Sequence, residues 1–246
     1  MELIHELLGY QNIKIIQNDD MFSFSLDSML LADFVKTSAK TKNIIELGCG
    51  NAPICLFLTM KTKARIVGVE IQEEVASLAK RSVEMNRFEN QIEIINADLN
   101  GIYKRGFANT FDIVISNPPY FKLLPTSNLN KNDFLTIARH EVKANLEGIV
   151  DEARKLLVDG GSLFMVHRVE RLDEIFLTLK NYKFSPKTIK FIYTKVSSDD
   201  ALLILIEAKK NRNAGLKVLK PIYCYNDTGE YTDEVKKIFN FNKPNH

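Results

Sequence analysis

With 246 residues, 45% of them hydrophobic, the chain can bury roughly 70–75% of its unfolded surface around one core, and no stretch reaches the ~18 apolar residues that a membrane span needs. Three cysteines, Cys49, Cys55 and Cys224, form no C-x-x-C pair, which speaks against a disulfide framework or a cysteine zinc site and fits a reducing cytoplasm. A formal net charge of +2 excludes a strongly basic or acidic chain, and the N-terminus lacks the basic-then-apolar order of a secretory signal.

Apolar runs of strand length alternate with segments of helical period, the pattern of a mostly parallel sheet covered by helices on both faces. Phe22 to Ala32 reads as an amphipathic helix beginning after Ser25 or Asp27. Asn43–Leu47 is a first strand that feeds a helix over Ala52–Met60. Arg65–Glu70 is a second strand, followed by a helix over Glu73–Asn86 with Val75, Leu78, Ala79 and Val83 inward. Gln91–Asn96 and Phe111–Ser116 are the third and fourth.

Residues 122–134, with Pro125 and a cluster of asparagine and aspartate, read as a mobile loop. A helix over Leu146–Leu157 and a turn at Gly160-Gly161 precede a fifth strand, Ser162–His167, and another helix, Arg168–Leu179. Thr188–Tyr193 and Ala201–Ala208 then form an antiparallel pair that closes the sheet. The expectation is one α/β domain over residues 1–246, a doubly wound Rossmann-like sheet of seven strands. Residues 1–42 form an N-terminal cap, 43–210 the core and 211–246 a C-terminal extension.

Such a sheet binds its ligand at the carboxyl ends of the strands, where strand order reverses. Gly48 and Gly50 follow strand one and permit a tight turn with close backbone approach. Glu70 ends strand two about twenty residues later, where an acid accepts hydrogen bonds from ribose hydroxyls. Asp98, after strand three, is placed to receive an adenine amino group. The run Gly48-Cys49-Gly50-Asn51-Ala52-Pro53 lacks the third glycine of a dinucleotide site. Acidic Glu46, Glu70 and Asp98 suit a cationic sulfonium better than a pyrophosphate, so the expected cofactor is S-adenosylmethionine, with no metal.

Strand four runs into Asn117-Pro118-Pro119-Tyr120. An exocyclic amine on a base, or a glutamine amide, is a poor nucleophile because its lone pair is delocalised. The Asn117 side-chain carbonyl and the Pro118 backbone carbonyl can accept its two N–H bonds and turn the nitrogen lone pair toward an electrophile. The two prolines keep that backbone rigid and leave no N–H unsatisfied. Tyr120 offers a face for base stacking or packs in the core.

These residues carry a resemblance. Glu46-Leu47-Gly48-Cys49-Gly50, Glu70, Asp98 and Asn117-Pro118-Pro119-Tyr120 resemble the class I S-adenosylmethionine-dependent methyltransferases that modify amino groups. Phe22 to Ala32 and Pro221-Ile222-Tyr223-Cys224-Tyr225-Asn226 look like the bacterial tRNA1(Val) adenine-37 N6-methyltransferases, and the likeness spans about residues 10–235. It implies a catalytic set of Asn117, Pro118, Pro119 and Tyr120. The implied cofactor set is Phe24, Asp27, Glu46, Gly48, Cys49, Gly50, Asn51, Glu70, Ile71, Asp98, Leu99 and Asn117. Ala52-Pro53 departs from the family's glycine-rich pattern.

The implied partner is tRNA. A guanine-N2 ribosomal enzyme, a protein-glutamine methyltransferase and a non-catalytic cofactor-binding RNA chaperone share parts of the pattern. Arg139-His140-Glu141 is placed to meet the substrate. Residues 183–220 hold nine basic side chains against three acidic ones, either a surface for a polyanion or a solvated lysine-rich face. Monomer and weak dimer are both compatible with the residues.

Overall fold

A computed structural model describes residues 2–18, 26–118 and 146–240, the side chain of Gln11 excepted. Phe24, Pro119, Tyr120, the 122–134 loop and Arg139-His140-Glu141 lie outside the described residues.

The elements in chain order are β1 (Glu2–Leu7), β2 (Tyr10–Asn18), α1 (Leu26–Phe34), β3 (Asn43–Leu47), α2 (Pro53–Leu58), β4 (Arg65–Glu70), α3 (Glu73–Met85), β5 (Ile92–Asn96) and β6 (Phe111–Ser116). They continue with α4 (Leu146–Leu156), β7 (Leu157–Arg168), α5 (Leu172–Asn181), β8 (Phe184–Lys195), β9 (Leu203–Lys210), β10 (Lys217–Val218), β11 (Ile222–Tyr225) and α6 (Asp233–Ile238). The main sheet has the order β10-β8-β9-β7-β6-β3-β4-β5, with β11 also paired to β8. The seven expected strands are therefore joined by two short ones on the free edge of β8.

Strands β3 to β7 pair in parallel, and β9 lies antiparallel between β7 and β8. The central strands read as continuous apolar runs because both faces are covered. On one face, α1, α2 and α3 pack over Ile44, Ile66, Ile113, Ile115 and Phe164. On the other, α4 and α5 cover Ile45, Val67, Val114, Leu163 and Met165.

Two strands are longer than expected. β7 starts directly after α4, with Gly160 at φ 79° and a register shift opposite Phe111 and Ile113. β8 carries Pro186 through a second register shift against β9.

Ahead of α1, β1 and β2 form an antiparallel hairpin. It docks on α3 through Ile16 N–H to Ser82 Oγ at 2.9 Å and Lys14 N–H to Asn86 Oδ1 at 2.8 Å. Its turn meets the chain's other end: Gly9 N–H donates to the Phe239 carbonyl at 2.9 Å. A Cβ at Gly9 would sit 2.6 Å from the Asn240 carbonyl oxygen, so only glycine fits this approach.

The end of α1 is held by a side chain. The half-buried Lys61 ammonium donates to the carbonyls of Ala32 (3.1 Å), Asp33 (2.5 Å) and Val35 (2.8 Å), acceptors that a helix leaves unsatisfied at its C-terminus. Lys61→Met removes the donors and keeps the stem. It is expected to cost about 1.5–3 kcal/mol, read as a lower urea midpoint at unchanged slope.

Candidate active site

The carboxyl ends of β5, β4, β3 and β6 lie side by side in that order, and four of the sequence motifs arrive there. Strand order reverses between β3 and β6, since β4 and β5 extend one way from β3 and β6 and β7 the other.

After β3 the backbone takes three positive φ angles, Gly48 (74°), Gly50 (55°) and Ala52 (68°). Gly48 N–H and Cys49 N–H both donate to the Val69 carbonyl at 2.9 Å, and Ala52 N–H returns to the Cys49 carbonyl at 2.9 Å. A Cβ built on Gly48 or Gly50 would meet nothing within 4 Å. Glycine is required there by conformation, and the loop faces open space that can admit a ligand. Pro53 opens α2 at a position that needs no N–H, so the helix starts one residue later than expected.

Glu70, 6% exposed, bridges two loops. Its Oε2 accepts from Gly50 N–H at 3.0 Å and its Oε1 from Gln72 N–H at 2.9 Å. Each carboxylate oxygen has capacity for a second donor. Ile71 beside it is half-buried, and Asn96 at the end of β5 donates to the carbonyls of Glu70 (2.9 Å) and Ile71 (3.1 Å). Asp98 is exposed, with Oδ1 accepting from the Asn100 backbone at 2.9 Å and side chain at 2.8 Å. Leu99 is buried.

Glu46 sits beneath this surface rather than on it. It is 2% exposed, with Oε2 accepting from the Cys55 thiol at 3.0 Å. Burial raises its pKa to about 8, and the nearby charge of Glu70 adds to the rise. The folded protein thus holds a proton at Glu46 that the unfolded chain releases above about 4.5. Stability from this group is fully present below that value and is lost as pH climbs toward about 8, with a slope of up to about 1.4 kcal/mol per pH unit. Glu46→Gln is expected to flatten this part of the stability profile, measured by urea unfolding from pH 5 to 8. Burial likewise raises the Cys49 and Cys55 thiols, which keeps both neutral.

Asn51 is turned away from the loop's open side. Its buried amide donates to the Ile16 carbonyl of β2 at 3.0 Å, tying the glycine turn to the N-terminal hairpin.

β6 delivers Asn117 and the buried Pro118 next to this loop. Ser116 pairs with Leu47 of β3, and its hydroxyl donates to the Leu47 carbonyl at 3.1 Å. Asn117 Nδ2 donates to Ser28 Oγ of α1 at 2.9 Å. That bond ties the Asn117 amide to α1. The half-buried Asp27 precedes Ser28 in the first turn of α1. Ser28→Ala is expected to lower turnover about two- to tenfold, the net worth of one hydrogen bond, with cofactor affinity unchanged in calorimetry.

Ser28, Gln72 and Cys55 were not among the expected site residues. Ser28 lies 89 residues from the side chain it orients, and no local pattern announces such a contact.

The topology divides the lysine-rich segment. Because β8 and β9 run in opposite directions, Lys183, Lys187, Lys209, Lys210 and Arg212 gather at the amino end of β8, the far end of the sheet from Asn117. Several are used internally. Lys210 is buried and donates to Asn109 Oδ1 and the Leu157 carbonyl, both at 2.7 Å. Lys187 meets the Asn213 carbonyl, and Lys190 pairs with Glu234 at 3.0 Å.

Among the described residues, no group of three or more His, Cys, Asp or Glu is placed to hold a metal ion. No helix there is long and apolar enough to cross a membrane.

The model of the methyltransferase small domain matches residues 12–188. The tRNA1(Val) (adenine(37)-N6)-methyltransferase of Shewanella halifaxensis is 24% identical over 217 residues, covering 85% of this chain and 87% of that protein. A predicted O-methyltransferase from Agrobacterium tumefaciens is similar in structure with a TM-score of 0.69, at 24% identity over 87% of this chain and 95% of that one. TYW2 of M. jannaschii, solved in complex with AdoMet, superposes with a TM-score of 0.57 at 13% identity, covering 85% of each chain. The α/β fold with its mostly parallel sheet is that of class I methyltransferases, and the cofactor is S-adenosylmethionine. An S-adenosylmethionine-dependent methyltransferase by these findings, this chain belongs to the methyltransferase small domain family.

Proposed function

We propose that this methyltransferase acts on the N6 amine of adenine 37 in tRNA1(Val), in the cytoplasm. The observation that carries the reading is Asn117-Pro118 at the end of β6, beside the glycine turn of β3. The name shared by several relatives over most of the chain supports the substrate.

When bound, S-adenosylmethionine supplies a methyl group on a cationic sulfur. The open space at Gly48 and Gly50 and the remaining acceptor capacity of Glu70 fit such a ligand. In this reading Glu70 accepts from the ribose hydroxyls, and the backbone of Gly48, Cys49 and Gly50 lines the approach. Ile71 and Leu99 give apolar contact to the adenine ring, and Asp98 receives its amino group. Asp27, in the first turn of α1, borders the pocket, a role the family resemblance also gives to Phe24. Glu46 and Asn51 act from below and behind, bracing α2 and the hairpin against the loop.

Asn117 Oδ1 and the Pro118 carbonyl accept the two N–H bonds of the target amine. Holding both hydrogens draws the nitrogen toward tetrahedral geometry and aims its lone pair, a contribution of orientation and preorganised dipoles. The family resemblance adds Pro119 and Tyr120 to this set, the latter as an aromatic face for the base. The surplus proton of the product amine leaves to water, so no general base is assigned. A base in a loop must be splayed from its neighbours to reach these carbonyls.

The test is incubation with S-adenosylmethionine and unmodified tRNA, digestion to nucleosides and mass spectrometry. N6-methyladenosine is expected with the wild-type protein. Its absence, with cofactor binding shown by calorimetry, would overturn the substrate assignment.

A further inference from the structure

The charge of this chain is polarised by its topology. Residues 35–42, 59–65, 181–187 and 209–217 carry twelve lysines and arginines and no aspartate or glutamate, leaving the rest of the chain with 21 basic and 31 acidic residues. These four segments lie at the amino ends of β3, β4 and β8 and at the carboxyl end of the antiparallel β9. All of these ends are at one pole of the sheet, opposite the candidate active site.

Hydrogen bonds show that the pole is continuous. Arg65 N–H donates to the Lys42 carbonyl at 2.8 Å, and Asn43 Nδ2 to the Thr110 carbonyl at 3.1 Å. Asn109 N–H donates to Lys155 O and Asn211 N–H to Lys183 O, both at 2.9 Å. At a strand spacing of ~4.8 Å, the row from β4 to β8 is about 24 Å long. Strands of five or six residues put it about 17–20 Å from the carboxyl ends.

Several carboxylates near the pole are engaged locally, while Asp33 and Glu89 are exposed. Asp112 Oδ2 accepts from Lys42 N–H and Asn43 N–H. Glu93 pairs with Arg65 and Asp151 with Lys155, each at 2.5 Å, and Asp159 accepts from Asn211. Lys40, Lys42, Lys63, Lys183, Arg212 and Lys217 remain exposed, without an ion pair among the described residues. At the opposite end, the described strand ends and the β8–β9 hairpin carry Glu70, Asp98, Asp199 and Asp200 beside Arg168 and Lys195 in the sequence.

We propose that the basic pole anchors the phosphodiester backbone of the RNA substrate at a point remote from the modified base. This rests on the reading of tRNA as substrate and deepens it: the enzyme selects a folded RNA large enough to reach both ends of the sheet. Phosphate contacts position an RNA without reading its sequence and are recognised by their salt dependence.

The experiment is fluorescence anisotropy with labelled full-length tRNA1(Val) transcript and its isolated anticodon stem-loop, each over a series of KCl concentrations. The pole variant carries Lys40→Gln, Lys42→Gln, Lys63→Gln, Lys183→Gln and Lys217→Gln. A charge-matched control carries Lys80→Gln, Arg87→Gln, Lys104→Gln, Arg105→Gln and Lys237→Gln. The full-length RNA is expected to bind the wild type at least about tenfold more tightly than the stem-loop. The pole variant loses that advantage and flattens the plot of log affinity against log salt by about 3 to 4, and the control keeps both.

Wild-type affinity in the pole variant, equal loss in the control, or equal binding of stem-loop and full-length RNA would overturn the anchoring surface. Nucleoside analysis of the same RNA reads the reaction separately. Pole-dependent binding without methylation would remove the adenine assignment and leave the surface standing, and methylation with pole-independent binding would do the reverse.

Discussion

Asn117→Ala is expected to lower turnover by about 10²–10³-fold, the range found when one preorganised polar group is removed from a reacting centre, while S-adenosylmethionine affinity changes little. The residue stands at the end of β6, outside the loops that carry Gly48 and Glu70, and its side chain is oriented by Ser28. Alanine removes one of the two proposed acceptors for the target amine and keeps the backbone carbonyl of Pro118. Single-turnover rates and calorimetry with S-adenosylhomocysteine separate the two effects. A parallel loss of turnover and cofactor affinity would sink this division of labour.

Glu70→Ala should act on the other side of that division, weakening S-adenosylmethionine binding by about 1.5–3 kcal/mol, the worth of hydrogen bonds to a charged group. In dissociation constant this is roughly 10- to 150-fold. The carboxylate also accepts from Gly50 N–H and Gln72 N–H, so alanine loosens the two loops that frame the proposed cofactor site. Glu70→Gln keeps the volume but sets an NH₂ group against one of those N–H donors, and it should lie near the lower end of the range. Turnover at saturating cofactor is expected to fall far less than in Asn117→Ala. An unchanged dissociation constant in Glu70→Ala would remove the ribose assignment.

The central strands were legible because burial on both faces leaves them as unbroken apolar runs. Asn43–Leu47, Arg65–Glu70 and Phe111–Ser116 stand in the structure with the expected limits. The strand-end positions of Gly48, Glu70 and Asn117 were legible for a related reason. Their positions follow from where strands stop, and the topology then brings those ends together.

What escaped depends on contacts between distant segments. β1 buries only Leu7, so it shows no alternation to mark a strand, and its partner β2 is held by Ser82 and Asn86 of α3. Pro186 reads as a breaker, yet β8 accepts it at a register shift near its end. The Lys61 cap of α1 spans 26–29 residues, and the Asn51 brace to Ile16 spans 35. The basic pole was visible only as one lysine-rich run. Its other half, around Lys40, Lys42 and Lys63, joins it because β3, β4 and β8 begin at the same end of the sheet.

The most direct test of methyl transfer to the N6 amine of adenine 37 is a single-turnover assay on two tRNA1(Val) transcripts, one with adenosine and one with inosine at position 37. Inosine lacks the exocyclic amine that the Asn117 and Pro118 carbonyls are proposed to hold. The account predicts one methyl group on the adenosine transcript, recovered as N6-methyladenosine, and none on the inosine transcript. Equal methylation of both would contradict it and move the acceptor to another nucleotide.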